Sequence, residues 1–115
     1  MPVRSLSSRV LKWPDRASVL DAAAAWAREL YARDADVLQV GCFGSYARGD
    51  AGVGSDLDLV IVVRERGDSI PDATRLLVPV DTLIFSQDEW NALQREGGRL
   101  ARTLEREAIW FARGN

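Results

Sequence analysis

Apolar residues recur at spacings of three and four from Pro14 to about Asp34, where Val19, Ala23, Trp26, Ala27 and Leu30 fall on one stripe. That is the period of an α-helix with one buried face, and Pro14-Asp15 supplies its start. Ahead of it, residues 1–14 read as an irregular or extended arm, with Val10, Leu11 and Trp13 covering part of a core. The pattern then changes. Val37 to Phe43 is a short apolar segment rich in strand formers, ended by Gly44-Ser45. A short helix or turn follows to about Asp50, then a loop at Gly52, Val53 and Gly54. Leu57 to Val63 (LDLVIVV) is a second strand, whose continuous apolar end predicts burial on both faces.

Residues 64–74 are polar and form a loop. Leu76 to Phe85 (LLVPVDTLIF) reads as a third strand, in which Pro79 argues for an edge or a bulge. Ser86 is a good N-cap for a helix from Gln87 to about Glu96. Gly97-Gly98 breaks that helix, Arg99 to Glu107 is helical again, and Ala108 to Ala112 forms a terminal strand. No repeat, low-complexity tract or interdomain linker interrupts the pattern. The order αβαββα(αβ) predicts an α/β (α+β) fold, a small mixed or antiparallel sheet of three to four strands flanked by helices.

Composition narrows the chemistry. With 115 residues the chain is expected to form one domain around one core. A net charge of −2 argues against a basic nucleic-acid binder and a polybasic membrane binder. The longest apolar run is the six residues from Ala22 to Ala27, far short of the roughly 20 of a membrane span. The N-terminus lacks the apolar core of a secretory signal, so a cytoplasmic location is expected. There is no histidine, which removes Ser-His-Asp and Cys-His catalysis and histidine-ligated zinc. The single cysteine, Cys42, sits in an apolar run and reads as a small core residue. The single lysine, Lys12, precedes Trp13, so no phosphate-binding P-loop is present. Any catalysis must use carboxylates, hydroxyls, arginines and metal ions.

Asp56 and Asp58 flank Leu57 at the start of the second strand. Alternate strand residues face the same way, roughly 6.6 Å apart, where two like charges repel by about 2–3 kcal/mol at an effective dielectric near 20. A divalent cation between them removes that repulsion, and Mg²⁺ prefers such oxygen ligands. Alone, the pair reads more readily as two solvated aspartates at a loop-to-strand junction. Asp81 shifts the balance, because an ionisable residue inside an apolar strand is costly unless paired or metal-bound. If strands two and three run antiparallel across the loop, pairing Val63 with Leu76 sets Asp58 opposite Asp81 on one face. The alternative is that Asp81 points outward from an edge strand. Gly44-Ser45 lies between a strand and a short helix, where glycine permits close backbone approach and free amides with a hydroxyl can hold phosphate oxygens. As a dipeptide alone it reads more readily as a plain strand-to-helix turn with Ser45 as N-cap. Arg48 shares a helical face with Ser45 and is placed either on a phosphate or in solvent. Asp50 caps or pairs locally.

Taken together, GSYARGDAGVGSDLDLVIVV from Gly44 to Val63, with Asp81 in VPVDTLIF, resembles the nucleotidyltransferase superfamily of DNA polymerase beta and the kanamycin nucleotidyltransferases. The run Gly-Ser-x-Ala-Arg-Gly-Asp followed by Ser-Asp-x-Asp-Leu is similar to the minimal nucleotidyltransferase (MNT) branch in particular, including its antitoxins. The resemblance spans residues 15–112 as a nucleotidyltransferase domain behind the arm. It implies transfer of AMP from ATP, with Gly44, Ser45 and Arg48 as nucleotide-binding residues. Asp56, Asp58 and Asp81 would be at once the catalytic residues and the ligands of two Mg²⁺ ions. Cys42 stands where larger aliphatic residues are usual in the family, and Pro79 interrupts the third strand.

Larger family members carry an acceptor-binding domain, and only about 30 residues follow Asp81 here, so the acceptor is expected to bring its own surface. By analogy with minimal nucleotidyltransferases, the expected partner is a HEPN-domain toxin modified on a tyrosine, with ATP as the donor, no direct nucleic-acid or membrane contact, and homo-oligomerisation left open. Two other readings stand beside this one. The chain is a non-catalytic antitoxin that blocks its partner by contact, or it is a small-molecule, antibiotic-type nucleotidyltransferase.

Overall fold

In the computed structural model, residues 13–67 and 71–114 are described. The expected arm, with Val10 and Leu11, falls almost wholly outside them. Helix α1 (Arg16–Arg33) starts where Asp15 accepts the Ser18 N–H at 2.8 Å, and its buried residues are the stripe Val19, Ala23, Trp26, Ala27 and Leu30. Strand β1 (Val37–Phe43) leads into the short helix α2 (Gly44–Arg48), and β2 (Leu57–Val63) follows. Then come β3 (Val80–Ser86), α3 (Gln87–Glu96), α4 (Arg99–Glu107) and β4 (Ile109–Arg113). The element order is the one the hydrophobic pattern predicts.

The four strands form one mixed sheet in the order β3-β2-β1-β4. Strand β1 is antiparallel to both β2 and β4. On one face, Val40 and Cys42 of β1 and Leu57, Leu59 and Ile61 of β2 pack with the α1 stripe into the main core. Val60 and Val62 alternate with these, are equally buried, and so face the other side. There α3 packs on β3 and β2, and α4 on β1. Trp90 of α3 sits between Phe85 and Trp110, with ring centroids 5.6 and 5.7 Å away, and ties the two edge strands to that helix. Strand β2 is therefore covered on both faces, as its apolar run demands. Cys42 is fully buried, and burial pushes its thiol up to about 11, which makes it an inert core residue.

Two expectations are corrected. The third strand begins at Val80, not Leu76. Leu76 and Val78 are buried in the main core ahead of the strand, which explains their apolar character without any ladder. Pro79 stands just before the edge strand, where its missing N–H costs nothing and its carbonyl accepts the Leu57 N–H at 2.9 Å. More consequentially, β2 and β3 are parallel rather than antiparallel. A parallel pair needs a connection of roughly a dozen residues or more. Residues 64–79 provide it once Leu76–Pro79 belong to the connection rather than to the strand. Along this crossover the Trp26 indole donates to the Asp72 carbonyl at 2.8 Å and anchors it to α1.

Candidate active site

The parallel register still places Asp58 directly across from Asp81, the pairing the antiparallel arrangement had been expected to give. Directly paired residues share a face, so both carboxylates project from the sheet side opposite α1. Asp58 is half-buried near the start of β2, and Asp81 is exposed on the edge strand. Asp56 lies in the exposed residues leading into β2. The Asp58 carboxyl is held above its ordinary range, first by burial and then by the charges of Asp81 and Asp56, while Arg48 pulls the other way. The charges of Asp81 and Asp56 thus both act on Asp58.

They do not form a closed cage. Among the described residues, no three His, Cys, Asp or Glu side chains are grouped so as to enclose a metal ion. The donor set suits a different kind of site. Mg²⁺ is commonly held through one or two carboxylates, with water and substrate phosphates completing its shell. Asp58 and Asp81 across a strand pair, with Asp56 beside them, are such an open all-oxygen set.

Gly44 forms the wall facing Asp58. It is buried at the β1–α2 junction with φ +77°, and a Cβ added there would run into the Asp58 carboxylate oxygen. Only glycine allows both the backbone conformation and the close approach. Phe43 pairs with Asp58 across the β1–β2 ladder, so the register itself brings the Gly-Ser turn to the acidic residues. Ser45 is next in the chain and half-buried, and its carbonyl closes α2 by accepting the N–H groups of Gly49 and Asp50 at 2.9 and 3.0 Å.

Several residues that build this turn carried no local signal in the sequence. Arg16, at the start of α1, donates to the Tyr46 carbonyl at 2.7 Å and the Ala47 carbonyl at 3.2 Å, satisfying acceptors that so short a helix leaves open. The buried Tyr46 hydroxyl accepts the Trp13 indole N–H at 3.1 Å. Arg48 is ion-paired with Asp50 at 3.1 Å and with Glu107 at 3.2 Å, and the same Glu107 oxygen accepts the Gly44 N–H at 3.3 Å. Asp50 therefore pairs locally, as expected. Arg48 is exposed but ion-paired, rather than free in solvent. Glu107 is distant in sequence, and no spacing rule would have linked it to Arg48.

An acidic strand pair, a glycine turn pressed against it and a helix-backed mixed sheet define an α/β protein whose open end is built from oxygen donors. The chain belongs to the family of proteins with a nucleotidyltransferase domain (NTP_transf_2), whose pattern matches residues 26–111. Solved structures agree in fold. A candidate nucleotidyltransferase from Sulfolobus solfataricus is 20% identical with a TM-score of 0.55, the match covering 85% of this chain and 83% of that one. A chain from a toxin–antitoxin structure holding AMP-PNP is 14% identical with a TM-score of 0.53, the match covering 89% of this chain and 76% of that one. No curated protein matches the sequence significantly.

Proposed function

We propose that this protein transfers AMP from ATP to a hydroxyl group of a protein partner, acting as the antitoxin of a pair whose toxin carries a HEPN domain and an accepting tyrosine. The observation that carries the reading is the pairing of Asp58 with Asp81 across β2 and β3, with Gly44 seated against Asp58. Asp56, Asp58 and Asp81 would hold two Mg²⁺ ions, which when bound offset the charge of the triphosphate and of the departing pyrophosphate. Gly44 and Ser45 would border the triphosphate, with Arg48 contributing positive charge beside them. In the transfer, the acceptor oxygen forms a bond to the α-phosphorus. The bond from that phosphorus to the bridging oxygen breaks, and pyrophosphate leaves with the electron pair. The acceptor proton passes to the Asp81 carboxylate and on to water.

Asp81 suits that role because it is exposed on an edge strand, where a hydroxyl carried by another macromolecule can reach it. A net charge of −2 offers little attraction to a polyanionic acceptor, which favours a protein over a nucleic acid. No helix among the described residues is long and apolar enough to cross a membrane. The reading puts the protein in the cytoplasm, where ATP is available. The shared fold with a chain from a toxin–antitoxin structure holding AMP-PNP is in keeping with it.

The test is to incubate the protein with ATP labelled on the α-phosphate, Mg²⁺ and the product of the adjacent gene. The partner gains label and the mass of AMP, and Asp56→Ala or Asp58→Ala prevents the gain. A partner neutralised equally well by both variants, without label, would make the protein a binding module instead.

A further inference from the structure

Glu107 is the last residue of α4, yet it is bonded twice to the glycine turn. A single oxygen, Oε1, accepts both the Gly44 N–H and an Arg48 guanidinium N–H. The two carboxylate partners of Arg48 differ sharply in setting. The Asp50 side chain is 61% exposed and that of Glu107 only 12%. Both ion pairs reach an Arg48 side chain that is itself 45% exposed, so the sheltered end of the second one is the Glu107 carboxylate. Glu107 is the one of the two partners that also ties the Arg48 guanidinium to the Gly44 backbone. Of the two groups it holds, Gly44 packs on the Asp58 carboxylate, and the charge of Arg48 favours the ionised form of that carboxylate.

We propose that Glu107 is a positioning residue of the nucleotide site, clamping the Gly44 backbone and the Arg48 guanidinium so that the turn keeps its distance from Asp58 and the arginine stays beside the triphosphate. This rests on the nucleotidyl-transfer reading. It also goes against simple charge counting. A carboxylate near a triphosphate should weaken binding by repulsion, so removing it should strengthen binding. A clamp predicts the opposite sign.

Calorimetric titration with Mg²⁺ and AMP-PNP decides between them. Glu107→Ala is expected to weaken binding about tenfold, the scale on which outer residues support a metal site. Glu107→Gln keeps a carbonyl acceptor for the Gly44 N–H and loses only the ion pair, so its loss is smaller, about threefold. If the clamp works through Arg48, the loss in Arg48→Ala/Glu107→Ala is less than the product of the two single losses. Should Glu107→Ala fail to fold, as its melting curve would reveal, Glu107→Gln and its coupling to Arg48→Ala carry the test. Unchanged or tighter binding by the Glu107 variants, or losses that simply multiply, overturns the clamp while the wild type still binds. If the wild type itself does not bind Mg²⁺ and AMP-PNP, the nucleotide reading fails and the clamp falls with it.

Discussion

Half-buried between Leu57 and Leu59, the Asp58 carboxyl titrates above its ordinary range because burial disfavours its charge and Asp81 and Asp56 repel it. A raised folded-state pKa means that the folded protein binds this proton more tightly than the unfolded chain does. The stabilisation is complete below the ordinary carboxylate range and is lost as pH rises through the folded-state value. At neutral pH the ionised Asp58 is therefore a cost to the metal-free fold. Asp58→Asn removes it, so the metal-free variant is expected to melt above wild type at neutral pH, with the advantage disappearing in acid. Melting curves across the carboxylate range check this, and a variant that melts lower than wild type at neutral pH would show the charge to be stabilised instead. At this scale much of the site was legible. Asp56-Leu57-Asp58 betrayed itself by charge spacing and Gly44 by its place at a strand end; Asp81 was singled out as a costly charge in an apolar strand, but it is exposed on the edge strand and carries no such cost. Glu107 and Arg16 were not legible, because each reaches the turn through tertiary contact rather than through sequence neighbours.

Among the elements, α3 shows how local chemistry fixes a boundary. The Ser86 hydroxyl accepts the Glu89 N–H at 3.0 Å, and the Glu89 carboxylate accepts the Ser86 N–H at 2.8 Å, so each side chain satisfies an N–H that the helix start leaves open. The bond from Ser86 is also the main reason the Glu89 carboxyl sits below its usual range. Ser86→Ala is expected to cost about 1 kcal/mol, lowering the melting temperature by roughly 4 °C, which thermal denaturation at neutral pH measures. The bounds of α1, β1 and β2 followed from period and caps in the same way. The start of β3 did not, because Leu76 and Val78 are apolar for burial in the core and not for a place in the ladder, and an apolar run alone does not distinguish the two.

For the whole molecule, the direction of β3 was the part hidden from the sequence. A polar connection between two apolar strands suits a hairpin or a crossover, and only the tertiary structure shows that β2 and β3 pair in parallel. Asp58 nevertheless meets Asp81 in both arrangements, so the predicted pairing at the site survived the wrong topology. That meeting point is where metal and nucleotide are proposed to bind. Crystals grown with Mn²⁺ and AMP-PNP test it most directly, because anomalous scattering locates manganese without reference to the protein. Manganese peaks bounded by the carboxylates of Asp58 and Asp81, with Asp56 beside them and the triphosphate against Gly44 and Ser45, are the predicted result. Nucleotide-associated manganese elsewhere on the protein, with Asp58 and Asp81 bare, would contradict it.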